Sequence, residues 1–447
     1  MKSGDYSVTS NASDLKPGEF GGDAAPIPQK KVPRKAVVGT VLGNWLEFFD
    51  FIVYSIFAVT IGKEFFPSDD PNIQILLSLA TFGVGFLARP LGSVMIGAYA
   101  DRAGRRAALT VTISCMAVGT AIMALTPSYA QIGIAAPVLL VGARLLQGFS
   151  AGGEMGAATT FLIESAPHGK RGLMGSWQLA SQGLAIATGA LIGFVLTISL
   201  PPEAMQSWGW RVPFIFGMLI APVGMYIRRH MDETAEVVEH NSMGAVLGTL
   251  FRNHTKLMII CMLTVSGGTI TTYVLNSYMV TYAIQTLQMP MATAVLAALI
   301  AGIVTFFGSL LGGALSDRFS RRALVIWPRL LLLLLIYPAL AYVVGHKTLP
   351  VLLAVVGILS TLQAVSAAPG LVLLPECFPR NVRAAALSIT YAVATTIFGS
   401  TAAVFSSWLV TTTGDPLSLA WFLIVANIVG LLAVLPLKPP KSHEALD

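Results

Sequence analysis

The sequence has few charged residues: Asp, Glu, Lys and Arg together make up 11% of its 447 residues, against about 25% in soluble domains. Hydrophobic residues make up 55% of the chain, and so few charges cannot cover the surface of a soluble core of that size. This balance excludes most soluble enzymes and nucleic-acid-binding domains with basic faces. It favours a polytopic α-helical membrane protein.

The sequence also has little that could bind a metal or carry out catalysis. Its three cysteines, Cys115, Cys261 and Cys377, are far apart and fit no disulfide or metal spacing. Its six histidines show no HExxH spacing, and no GxxxxGK[ST] phosphate loop is present. No nucleophile is paired with a base inside an apolar segment. The sequence therefore predicts no metal site, no cofactor and no enzymatic activity.

The chain does contain long apolar segments. A membrane-spanning helix needs about 20 mostly apolar residues, and twelve segments meet that need. They lie near residues 36–60, 73–99, 107–126, 132–163, 172–199, 212–228, 256–285, 291–315, 323–344, 349–374, 384–411 and 418–436. We therefore expect an all-α membrane protein with twelve transmembrane helices.

The longest polar interruption, residues 229–255, separates the sixth segment from the seventh. It divides the chain into two sets of six predicted helices. The expected units are a disordered cytoplasmic tail (1–35), an N-terminal six-helix bundle (36–229), a cytoplasmic linker (230–255), a C-terminal six-helix bundle (256–436) and a cytoplasmic tail (437–447).

The distribution of Lys and Arg predicts the orientation, because cytoplasmic loops are enriched in both. With the N-terminus inside, 22 of the 28 Lys and Arg residues fall on the cytoplasmic side. Both termini are then cytoplasmic, and the net charge of +6 needs no nucleic acid to explain it. Three arginines, Arg89, Arg144 and Arg329, fall inside apolar segments. Arg329 lies about 10 Å from its cytoplasmic helix end, so we expect it to snorkel to the interface.

An internal repeat supports the division into two halves. GAYADRAGRR (97–106) follows the second segment, and GALSDRFSRR (313–322) follows the eighth. The Glu164–Arg171 spacing recurs as Glu376–Arg383. Two parallel six-helix repeats are typical of a two-lobed transporter with its binding site between the lobes.

These motifs resemble the major facilitator superfamily, although Ser320 replaces the glycine in the second copy of the loop motif. More narrowly, the chain is similar to the metabolite:proton symporter family in LGNWLEFFDFIVY (42–54), FLARPLG (86–92), RLLQGFSAGGEMG (144–156) and WGWRVPF (208–214). GSWQLASQ (175–182) and SITYAVATTIFGS (388–400) are similar to its citrate and tricarballylate branch.

The resemblance implies a multi-pass transporter of the bacterial inner membrane. It implies proton-coupled uptake of a citrate-like organic di- or tricarboxylate by alternating access. The partners would be a small organic anion, protons and the lipid bilayer, and the expected state is a monomer. Proton symport of another metabolite, such as 2-oxoglutarate, shikimate or a zwitterionic osmolyte, is the main alternative. A membrane enzyme or a transporter-like receptor is the alternative of a different class.

Three acids lie inside apolar segments, where an ionisable side chain is costly and usually functional. They are Glu47, Asp50 and Glu154, and we expect them to couple transport to protons. Glu47 and Asp50 lie one helical turn apart, which disfavours ionisation of both. In the alternative interpretation, Arg89 neutralises Glu47 or Asp50, and Glu154 belongs to a glycine-rich packing segment.

Polar residues on shared helix faces are the candidate substrate-binding residues. A bidentate guanidinium suits a substrate carboxylate, and uncharged amides and hydroxyls suit a polar organic ligand. The alternatives are ion pairing, core packing, a place in the aromatic interface belt and interhelical hydrogen bonds. The candidates are Arg89, Arg144, Gln147, Tyr54, Gln178, Gln182, Tyr273 and Asn276.

The repeated loop motifs and their acidic partners form a third candidate group. By resemblance to the superfamily, they form ion-pair networks that latch the cytoplasmic side in the outward-facing state. Topology-setting positive charge explains the arginines but not the acids at matched spacing. The group comprises Gly97, Asp101, Arg102, Gly104, Arg105, Arg106, Glu164, Arg171, Asp317, Arg318, Arg321, Arg322, Glu376 and Arg383.

Overall fold

The computed structural model describes residues 34–103, 105–152, 155–167, 169–218, 222, 250, 252–379 and 382–437. The regular elements of this part of the chain are all helical, as predicted. Nearly all of the expected N-terminal tail, most of the expected linker and the C-terminal tail from residue 438 lie outside the described residues.

The helices before residue 219 are called here the N-terminal group. A 3-10 turn at Gly209–Arg211 precedes the last of them. They are α1 (Arg34–Ile56), α2 (Ala58–Phe65), α3 (Pro71–Leu87), α4 (Arg89–Ala103), α5 (Arg105–Leu125), α6 (Tyr129–Ile132), α7 (Ala135–Ala151), α8 (Met155–Glu164), α9 (Arg171–Ser199), α10 (Pro202–Ser207) and α11 (212–218).

The helices after residue 254 are called the C-terminal group. Two π-helical turns, Val274–Tyr278 and Thr395–Gly399, interrupt it. Its helices are α12 (Thr255–Tyr273), α13 (Met279–Gln285), α14 (Met291–Ser316), α15 (Arg321–His346), α16 (Leu349–Glu376), α17 (Arg383–Ala394), α18 (Ser400–Thr413) and α19 (Ser418–Val434).

Within the described ranges, eight helical stretches are long and apolar enough to cross a bilayer. Three shorter apolar helices, Thr110–Leu125, Ala135–Ala151 and Ser418–Val434, accompany them. The sixth segment predicted from the sequence is described mainly over 212–218. The count of twelve spans and the cytoplasmic termini therefore stay predictions.

Local sequence accounts for several helix ends. Asp70 accepts a hydrogen bond from the backbone N–H of Asn72 (2.8 Å) and caps α3, with Pro71 at its first position. Gly414 ends α18 in the left-handed conformation, with φ of +66°, which glycine adopts without strain.

The two groups meet along α9 and α14, where small residues let the backbones approach closely. A Cβ added to Gly183 would lie 2.5 Å from the backbone nitrogen of Phe306 and 2.9 Å from the carbonyl oxygen of Gly302. Membrane helices use such small residues to pack closely. Inside the N-terminal group, a Cβ on Gly85 of α3 would lie 3.0 Å from the carbonyl oxygen of Arg144 of α7. This packing brings Arg144 close to α1.

Candidate functional site

A cavity of about 100 Å³ lies where helices of both groups meet. Phe48 and Ile52 of α1 and Gln182 of α9 form its N-terminal wall, and α12 and α14–α17 form most of the rest. Tyr273 and Tyr391 contribute aromatic rings. The described lining contains one charged side chain, Arg329, and no acid. The cavity therefore carries a positive charge among hydroxyl, amide and aromatic groups.

Three of the predicted substrate-binding residues line this cavity: Gln182, Tyr273 and Asn276. In the described part of the chain, Nε2 of Gln182 and Oδ1 of Asn276 are buried without a hydrogen-bond partner. Asn276 lies in the π-helical turn Val274–Tyr278, and such turns are frequent at functional sites. These polar atoms are free to bind a ligand.

Gln178, predicted to share the face of Gln182, has a different role. Its Nε2 donates to Oδ1 of Asn44 (2.8 Å), and Nδ2 of Asn44 donates back to the carbonyl oxygen of Gln178 (2.9 Å). Nδ2 of Asn44 also donates to Oγ of Ser181 (2.6 Å). Gln178 is not among the residues lining the cavity. It forms the interhelical hydrogen bond that the sequence offered as the alternative.

Asp50 lies in a polar cluster buried inside the N-terminal group. Its Oδ2 accepts a hydrogen bond from the hydroxyl of Thr120 on α5 and one from Nε2 of Gln147 on α7 (3.4 Å). Nη1 of Arg144 donates to Oε1 of the same Gln147 (2.9 Å). The amide of Gln147 therefore connects the buried guanidinium to the buried carboxylate.

Tyr54 completes the Asp50 cluster. Its hydroxyl donates to the carbonyl oxygen of Ser78 (3.0 Å), and Cζ of Arg144 lies 3.9 Å from its ring centroid. Tyr54, Arg144 and Gln147 are fully buried and are not among the cavity-lining residues. Arg144 and Gln147 share one face of α7, and in this structure they contact α1 and α5 instead of lining the cavity.

Arg89 packs against aromatic rings of α1 and α3. Its Cζ lies 4.2 Å from the ring centroid of Phe86 and 4.9 Å from that of Phe51. The ring of Phe86 in turn packs against the ring of Tyr273, with the centroids 5.3 Å apart. Arg89 is thus connected to the cavity lining through Phe86, and its pairing with Glu47 or Asp50 stays a prediction.

Two contacts involve predicted gating residues. Oδ1 and Oδ2 of Asp317 accept hydrogen bonds from the backbone N–H groups of Gly172 (2.6 Å) and Leu173 (2.9 Å), at the start of α9. This contact joins the C-terminal group to the N-terminal group. Arg321 forms an ion pair with the buried Glu376. The gating role of both contacts stays a prediction.

The other gating candidates are only partly described. Glu164 ends α8, and Arg171 begins α9. Arg318 lies in the turn before α15. Arg322 lies in the first turn of α15 and donates to the carbonyl oxygen of Leu435. Glu154 and Gly104 lie outside the described residues, and so do the side-chain placements of Gly97, Asp101, Arg102, Arg105, Arg106 and Arg383.

The expectation that Arg329 snorkels to the interface is wrong. Its side chain is 3% exposed and lines the cavity. Distance from a helix end gives depth but not the neighbours that cover a face, and here α12 and α19 pack over the guanidinium through Gly268 and Gly430. Gln363, which repeats Gln147 one half later and was not predicted as a site residue, also lines the cavity.

Comparisons with known proteins agree with this architecture. A family model described as "Sugar (and other) transporter" matches residues 35–236 and again 226–437. A citrate-proton symporter of Klebsiella pneumoniae is 39% identical over 416 residues, 92% of this chain and 94% of that protein. The glycine betaine/proline/ectoine/pipecolic acid transporter OusA of Dickeya dadantii is 35% identical over 422 residues, 91% of this chain and 83% of that protein.

A solved structure shows the same fold. The crystal structure of a D-xylose-proton symporter has a TM-score of 0.73 and 18% sequence identity. The match covers 91% of this chain and 98% of that chain.

Proposed function

Because the chain belongs to the sugar (and other) transporter family of the major facilitator superfamily, we propose that it takes up an organic di- or tricarboxylate together with protons. The observation that carries the proposal is the cavity between the two groups, whose described lining has one cation and no acid. Such a lining suits an anion. The similarity to citrate-proton symporters of Klebsiella pneumoniae and Salmonella typhi, at 39% and 36% identity, supports a citrate-like substrate.

Transport proceeds by alternating access, with the two groups rocking around the cavity. At about 100 Å³ the cavity is smaller than the roughly 300 Å³ of ordinary ligand pockets, so it has to widen as a substrate enters. The contact between Asp317 and the start of α9 holds one end of the two groups together. It has to break when that end opens.

Asp50 carries the coupled proton in this proposal. When its carboxylate is charged, Thr120 and Gln147 donate to it, and Gln147 links it to Arg144. Hydrogen bonds to an ionised acceptor are roughly twice as strong as neutral ones, so protonation weakens the attachment of α1 to α5 and α7. Because α1 also supplies Phe48 and Ile52 to the cavity wall, loosening α1 links the proton to the substrate.

The orientation belongs to the same proposal. The protein spans the bacterial inner membrane twelve times as a monomer, with both termini in the cytoplasm. The end that carries Asp317 then faces the cytoplasm, so the described conformation is closed on that side. The excess of Lys and Arg on this side supports the orientation.

A zwitterionic osmolyte is the second candidate substrate. Tyr273 and Tyr391 line the cavity, and aromatic faces bind quaternary ammonium groups. The similarity to the Dickeya dadantii transporter supports this alternative. The described lining offers no acid for the cationic end of such a ligand, which favours the carboxylate anion.

The deciding experiment is uptake of radiolabelled citrate into proteoliposomes under an imposed inward proton gradient, with and without a protonophore. Accumulation that the protonophore abolishes is expected. Uptake no higher than in empty liposomes would contradict the citrate assignment. Counterflow of glycine betaine in the same liposomes would then support the second candidate.

A further inference from the structure

Arg329 is a buried cation without a counter-ion in the described part of the chain. Its Nη1 donates to the carbonyl oxygen of Thr264 (3.2 Å), and its Nε has no partner. Described ion pairs join other residues, and none includes Arg329. A buried charge that lacks an ionic partner is expensive, so an arginine in this position calls for an anion from elsewhere.

The neighbouring helices leave room for the guanidinium, because glycines face it where larger residues would crowd it. A Cβ added to Gly268 of α12 would lie 3.0 Å from Nη2, and one added to Gly430 of α19 would lie 3.0 Å from Nη1. The same Cβ on Gly268 would lie 3.2 Å from Nε2 of Gln363. Two glycines therefore shape a recess that holds this side chain at the cavity.

Hydroxyl groups of the cavity complete a donor set for a carboxylate. The Oγ atoms of Ser309 on α14 and Ser360 on α16 are buried without partners within the described chain, and both residues line the cavity. Hydroxyls can donate to a carboxylate oxygen, and a guanidinium binds a carboxylate through its planar fork. Ser366 differs, because its hydroxyl already donates to the carbonyl oxygen of Val325 (2.9 Å).

We propose that Arg329, assisted by Ser309 and Ser360, is the group that binds a carboxylate of the transported substrate. The proposal rests on the proposed function and deepens it, because it moves anion binding from Arg89 and Arg144 to the C-terminal group. Those two arginines stack on the rings of Phe86 and Tyr54 and are not among the cavity-lining residues. The N-terminal group then binds the proton at Asp50, and the C-terminal group binds the anion at Arg329.

The test is binding and counterflow with purified protein, using citrate, glycine betaine and choline as probes. Choline has the quaternary ammonium of glycine betaine but no carboxylate. Arg329→Gln is expected to weaken citrate binding at least tenfold, with Arg329→Lys in between, since lysine keeps the charge but loses the fork. The double variant Ser309→Ala with Ser360→Ala should weaken it several-fold, and the matched control Ser366→Ala should leave it unchanged.

The two proposals fail in different ways. Wild-type citrate transport combined with unchanged affinity in both Arg329 variants would overturn the anion site and leave the function standing. If Arg329→Gln fails to fold, unchanged affinity in the double serine variant and in Arg329→Lys overturns the site in the same way. Glycine betaine binding that depends on Arg329, without citrate binding, would overturn the citrate assignment and support the site. If glycine betaine binds and choline binds equally well, the site is overturned, because the carboxylate then contributes nothing to binding.

Discussion

Replacing Asp317 with asparagine is expected to loosen the contact between the two groups of helices. Asp317 follows α14, and its two carboxylate oxygens accept hydrogen bonds from the backbone N–H groups of Gly172 (2.6 Å) and Leu173 (2.9 Å). These N–H groups lie in the first turn of the 29-residue helix α9. A helix N-terminus has unpaired N–H groups and a partial positive charge, and both favour a carboxylate.

The expected loss of stability depends on which interactions an asparagine at position 317 retains. Its side-chain oxygen can accept one of the two hydrogen bonds, while its NH₂ group cannot accept the other, and the negative charge is lost. A lost cap costs about 0.5–2 kcal/mol, and the charge at the helix end contributes about 0.3–1 kcal/mol. Since Asp317 is partly exposed, solvent screens the charge. We therefore expect the substitution to destabilise the closed contact by about 1–2 kcal/mol in total. Molecules in which the two groups have moved apart at this end should become roughly 5–30 times more frequent relative to closed ones.

The population can be measured by double electron–electron resonance between spin labels at the same end of the two groups. Val38 and Phe319 are exposed label sites, one in each group, in a background without the three native cysteines. Asp70→Asn is the matched control, because Asp70 caps α3 within one group. An unchanged distance distribution in Asp317→Asn would refute the reasoning, and an equal change in Asp70→Asn would show that the effect is not specific to the contact between the groups.

Four further variants test other parts of the structure. Asp50→Asn should abolish proton-driven accumulation and retain exchange, and full accumulation against a gradient would place the proton site elsewhere. Arg89→Lys loses the flat guanidinium stacked on a ring, so it should slow uptake without changing substrate affinity. A large rise in the dissociation constant of the substrate would show that Arg89 binds substrate directly. Gly183→Ala should lower the unfolding temperature in detergent by several degrees, because the added methyl meets backbone of α14, whereas Gly142→Ala, with nothing within 4 Å, should leave it equal or higher. Asp101→Asn should cut transport and leave membrane insertion intact, and a normal uptake velocity would contradict its gating role.

The family could be recognised from sequence because its signals are local. Apolar segments of spanning length, the excess of Lys and Arg on one side and the repeated GAYADRAGRR and GALSDRFSRR motifs are all properties of neighbouring residues. Helices of the predicted kind follow from such patterns, since a helix satisfies its own backbone in lipid. The match of the family model to both parts of the chain agrees with this interpretation.

Part of the site could also be predicted from helical spacing. Arg144 and Gln147 lie three residues apart on one helix, and the structure joins them by a hydrogen bond (2.9 Å). Spacing fixes which residues share a face, so the polar stripe on α7 was accessible from sequence. These side chains meet Asp50 of α1 and Thr120 of α5 across helix interfaces, and one-dimensional spacing does not give these contacts.

Helix periodicity and spanning length are therefore determined by the sequence itself, because each depends on residues within a few turns of one another. The partners of buried polar groups depend on other helices, and only tertiary packing decided them. Gln178 forms a hydrogen bond with Asn44 and does not line the cavity. Arg329, which was expected at the interface, is enclosed by α12 and α19. The physical reason is that the cost of burying a charge or an amide depends on what lies across the helix interface, and those neighbours are distant in sequence.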